Sequence, residues 1–147
     1  MFTTHSLEIA AKTAAHEAHI VGGATVNVET GHQVIRSTGY VVALGGQYAQ
    51  IIHHFAAFTD EALAATLVDF CQQHADAFRH CPTHSTPVMR YLGVWANAGA
   101  LYVDVVEIHR DRAEAIAAGQ ANDQIAIFDL ATETEIATGG KGSAVSV

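Results

Sequence analysis

Apolar residues return along this chain in two rhythms, one near 3.6 and one near 2, and together they mark out its elements. From Thr4 to about Ala18 an alanine-rich run offers Leu7, Ile9, Ala10, Ala14 and Ala18 for packing, which predicts a helix. Gly22-Gly23 stop it. In ATVNVET, Val26 and Val28 alternate with polar neighbours, the signature of a half-buried strand. Thr30-Gly31 turns the chain into a second strand, STGYVVAL, which Gly45-Gly46 closes. The short apolar run YAQIIHHF reads as an added strand rather than a helix. At Thr59-Asp60-Glu61 a helix opens, with Thr59 as cap and two acids at the positive end of its dipole. Leu63, Leu67, Phe70, Cys71, His74 and Phe78 fall on one face of it.

Pro82 and Pro87 bracket an irregular stretch. VMRYLGVW and ALYVDVVEIH then form a hairpin across Asn97-Ala98-Gly99. Asp111 caps a short helix, with Glu114 placed for a capping box and Gly119 as its stop. QIAIFDL and EIATGG make a last pair, and the tail KGSAVSV reads as loose. The pattern predicts a single α+β domain over residues 1–147: a mainly antiparallel sheet of about six strands in about three hairpins, with two or three helices on one face.

Composition narrows the function classes. Of 147 residues 50% are hydrophobic and only two are Pro, enough to build a core without staples. Charged residues make up 15%, below the quarter or so of an ordinary domain, so part of the surface is expected to be covered in a homo-oligomer, a dimer first. The net charge is -8, and the seven Lys and Arg form no run, which argues against nucleic acid as partner. Ten His bring the net charge toward zero between roughly pH 7 and pH 5.5. Two Cys make no disulfide framework, and the N-terminus has no basic start followed by an apolar run. The longest uncharged stretch, 37–59, carries three Gly, two Gln and His53-His54, unlike a membrane span. The expectation is a cytoplasmic protein with no membrane partner.

Candidate chemistry gathers at four places. Cys71, His74, His80, Cys81 and His84 contain Cys-x2-His twice, a donor set suited to zinc. The competing reading packs Cys71 and His74 in the core and solvates the rest, with no cofactor. His16 and His19, at the end of the first helix, suit its dipole. Of His53 and His54 only one can enter a site from a strand, and His54 is the candidate general base, the alternative being one exposed and one packed ring. Asp104 interrupts an apolar strand between Tyr102, Val106 and Ile108. It is either paired, with Arg90 or Arg110, or functional. Tyr40, Trp95 and Tyr102 are candidates to line a ligand pocket. Gly139 to Ser143 lacks the spacing of a phosphate loop and leads into no helix.

Three functions are compatible with these features. The first is a binding or interaction module that self-associates. The second is a small His-dependent enzyme or metal binder using the Cys71–His84 cluster and Asp104. The third, ranked last, is an acidic decoy of a basic protein, which needs carboxylates massed on one face.

Overall fold

The computed structural model describes residues 2–35, 38–78 and 89–142 with side chains, and the backbone of 144–146. Helix α1 (Thr4–Val21) starts from Thr3, whose hydroxyl accepts from the Ser6 N–H at 3.0 Å, and ends where Gly22 turns left-handed at φ 86°. Helix α2 (Asp60–Gln73) starts from Thr59, as its sequence requires. The apolar stripe runs past the end of α2. His74 breaks the α geometry, and Ala75–Phe78 continues as a 3-10 turn. Helix α3 (Arg112–Ala121) is capped by Asp111, whose carboxylate accepts from the Glu114 N–H at 2.9 Å. Gly119 is not its stop but lies inside it, where a Cβ would stand 2.8 Å from Ile127.

The strands are β1 (Gly23–Val26), β2 (Tyr40–Ala43), β3 (Gly46–His53), β4 (Arg90–Asn97), β5 (Ala100–His109), β6 (Ala126–Asp129), β7 (Thr134–Ala137) and β8 (Ala144–Ser146). Their order is β1-β4-β5-β2-β6-β7, with β3 on β5 and β8 on β3. The α+β class stands, with a mainly antiparallel, curled sheet. Two of the expected hairpins, β4-β5 and β6-β7, form as read. The first pair does not: β1 lies against β4, and β2 lies against β5 and β6. A strand with one buried face takes whichever partner completes the core, and sequence neighbourhood does not decide it. The tail is not wholly loose, because β8 pairs in parallel with β3.

Strands β2 and β3 are two halves of one bent line along the same edge of β5. β2 meets residues 106–109 and β3 meets 100–104. The bend falls at Gly45 and Gly46, both at positive φ, where a Cβ on Gly45 would meet the Gln124 amide and the Asn122 carbonyl.

Register sorts the side chains onto two faces. Leu92 and Val94 of β4 share a face with Leu101, Val103 and Val105 of β5, and these pack against Leu7, Ala14, Leu63, Leu67 and Phe70 of α1 and α2. The alanines of α1 let the helices approach closely. The same face of β2 and β6 carries Val42 and Ile127, which pack on Ala115 of α3. All three helices therefore cover one face and leave the other, concave face bare. Among the described residues no helix is long and apolar enough to cross a membrane.

Candidate functional site

The concave face lines a half-open cavity of about 720 Å³, within the ordinary range for small-molecule sites. β5 supplies Tyr102, Asp104 and Val106, and β4 supplies Gly93 and Trp95. Val41 and Ala43 of β2 and Ala126 and Phe128 of β6 form the facing wall. Curling brings the far end of the sheet back across the opening, where the Trp95 indole N–H donates to the Glu135 carboxylate of β7 at 2.7 Å.

Asp104 is the most deeply placed charged group here, 8% exposed. Its register neighbours on this face are Gly93 and Ala49, which bring neither bulk nor a polar group. Gly93 is required there, since a Cβ would lie 2.6 Å from Val106. The paired reading of Asp104 fails. Arg90 stands on the opposite face, giving its Nε–H to Glu107 at 3.1 Å and another N–H to the Ala77 carbonyl at 2.9 Å, and Arg110 is exposed beyond the end of β5. Among the described residues no hydrogen bond or ion pair engages the Asp104 carboxyl. Burial alone pushes its pKa up to about 7.

Two of the three expected aromatics are here. Trp95 and Tyr102 are cross-strand partners with ring centroids 5.3 Å apart and planes tilted by 50°. Tyr40 is not: register turns it to the helix side, against the α3 cluster. His53 and His54 are both exposed, and His54 sits left-handed before a 3-10 turn, away from the cavity. Cys71 is buried, its thiol pushed up to about 12 by desolvation. Burial also lowers the His74 pKa, and its ring lies against Phe70 and Tyr48. His80, Cys81 and His84 lie outside the described residues. Among the described residues no three His, Cys, Asp or Glu side chains are grouped to hold a metal ion.

Sequence reasoning missed Phe128, Gln124, Glu133 and Glu135, which reach the cavity only through the curl. The glycine-rich segment after β7 also lines it, and its amides are spent on the chain itself. The Asp123 carbonyl accepts from Gly142 and its carboxylate accepts from the Lys141 N–H.

A carboxyl titrating near neutrality can hold or release a proton at physiological pH. The described lining contains no Ser, Cys, His or Lys; beside Asp104 its hydroxyls are those of Thr25 and Tyr102, and its other carboxylates are the exposed Glu133 and Glu135. No family model, no curated protein and no solved structure matches this chain.

Proposed function

We propose that this chain is a small-molecule binding domain whose concave sheet face encloses a largely apolar guest, with Asp104 as its polar anchor. This narrows the binding-module expectation from a surface to a cavity. One observation carries it: a carboxyl with no partner among the described residues is buried at a mainly apolar cavity of ligand size. Burying such a group costs stability, and sites where that cost is borne are often functional.

Trp95 is the only tryptophan and lines the cavity, so its emission reports occupancy directly. Titration with the neutral apolar dye N-phenyl-1-naphthylamine is expected to saturate at one equivalent and quench Trp95. Ala126→Phe, which fills the facing wall, should abolish the saturable phase without lowering the melting temperature. Non-saturable uptake, or uptake indifferent to Ala126→Phe, refutes the reading.

A further inference from the structure

We propose that the guest is an organic cation, an ammonium group on an apolar body, with its charge at Asp104 and its body against Trp95, Tyr102 and Phe128. This rests on the cavity reading above and adds the guest's charge to it.

Every charged side chain in the described lining is an acid: Asp104 within, and the exposed Glu133 and Glu135 toward the opening. There is no Lys, Arg or His among them. Among the described residues the lining therefore supplies no counter-charge for an anionic guest, which would meet three carboxylates. The Asp104 carboxylate likewise has no counter-charge among the described residues, and at a side chain 8% exposed the attraction to a guest's cation exceeds that in open water. The tilted Trp95–Tyr102 pair adds aromatic faces, which attract cations further. The net charge of -8 concentrates cations around the molecule.

A bare metal ion does not fit. One carboxylate between Gly93, Ala49 and Val106 cannot replace the oxygens of a hydration shell. An ammonium carries its own apolar body and needs only one such partner.

The seat also couples binding to a proton. Because Asp104 titrates at about 7, below that pH an ammonium guest must first displace a proton from it. Affinity for the cation should then fall about tenfold from pH 8 to pH 6, and affinity for a neutral guest should not.

The test compares three probes with one body, 4-phenylbutylamine, 4-phenylbutanol and 4-phenylbutyrate, by Trp95 quenching and calorimetry. At pH 8 the amine should bind at least tenfold tighter than the alcohol, and the butyrate most weakly. The amine's preference should shrink about tenfold at pH 6. In Asp104→Asn the ratio of amine to alcohol affinity should fall to about one. If the alcohol binds and the amine is no tighter at pH 8, the charge assignment falls and the cavity reading stands. A preference for the amine that survives Asp104→Asn also overturns the assignment. If none of the three binds, both readings fall.

Discussion

At Asp104 the physical conflict is between a charge and the apolar strand that carries it. The carboxyl leaves water on folding and gains no partner, so its folded pKa rises from 3.8 to about 7. Between those values the folded chain holds a proton that the unfolded chain has lost. Stability is therefore highest below pH 3.8 as far as this group is concerned, falls as pH rises toward 7, and is level above it. A shift of about three units corresponds to a penalty on the order of 4 kcal/mol. Asp104→Asn removes the charge at constant shape, so its melting temperature should exceed wild type at pH 8, with the gap closing toward pH 4. A gap of constant size from pH 4 to 8 would show that the carboxyl is solvated or paired after all. This residue was legible in the sequence because a lone acid inside an apolar alternation stands out locally. Tyr40 was misread for the complementary reason: which face a strand residue takes depends on register, and register is a long-range property.

Elements held together by local chemistry were legible: the capped helices, the β4-β5 hairpin with its two-residue turn at Ala98-Gly99, and β6-β7. Pairings between distant segments were not, which is why β1 found β4 and why β2 and β3 proved to be one bent line. The junction of α1 and α2 joins the two kinds of information. His16 and His19 were read as suiting the C-terminal end of α1, and Asp60 as suiting the start of α2. In the fold they meet. His19 Nδ1 lies 2.5 Å and His16 Nδ1 3.4 Å from the Asp60 carboxylate, and the other His19 nitrogen reaches the Phe55 carbonyl at 3.2 Å. The hydrogen bond to Asp60, then that to Phe55, raises the His19 pKa, and the bond to His19 lowers that of Asp60. The stabilisation from His19 is complete below its unfolded value of about 6.5 and is lost as pH rises through its higher folded value. The contribution of Asp60 is present above 3.8 and disappears as pH falls through its lower folded value. A double-mutant cycle of His19→Gln and Asp60→Asn should give a favourable coupling at pH 6 that decays by pH 9. Equal coupling at both pH values would mean that the contact does not depend on the imidazolium.

For the whole molecule, function depends on curvature. A flat sheet with helices on one side would leave Asp104 in water. The sheet is curled, so that β7 returns to β4 where Glu135 accepts from Trp95, and the curl gives the sheet its interior. No local pattern announces this, so the far wall of the cavity was invisible in the sequence even though Asp104, Trp95 and Tyr102 were not. The closure is thinly made. β6 joins β2 through two residue pairs, Tyr40 with Asp129 and Val41 with Phe128, and the Trp95–Glu135 hydrogen bond spans the opening between β4 and β7. That bond is solvent-exposed, so removing its acceptor should cost only about 1 kcal/mol of global stability. Its effect on local opening should be larger, because β7 meets β4 across the opening through this bond while β6 is held on the β2 and α3 side, by Ile127 against Val42 and Ala115 and by the Leu130 N–H to Gly39 carbonyl. Glu135→Ala is therefore expected to speed amide exchange in β6 and β7 and to hasten release of a bound neutral dye, while β4 and β5 amides exchange as before. Glu135→Gln keeps an acceptor at the same place and should restore slow exchange. Uniform acceleration across all strands would mean that the bond supports the sheet as a whole. No acceleration in β6 and β7 would mean that the opening is held by the β2-β6 ladder and the packing of Ile127 on Val42 and Ala115.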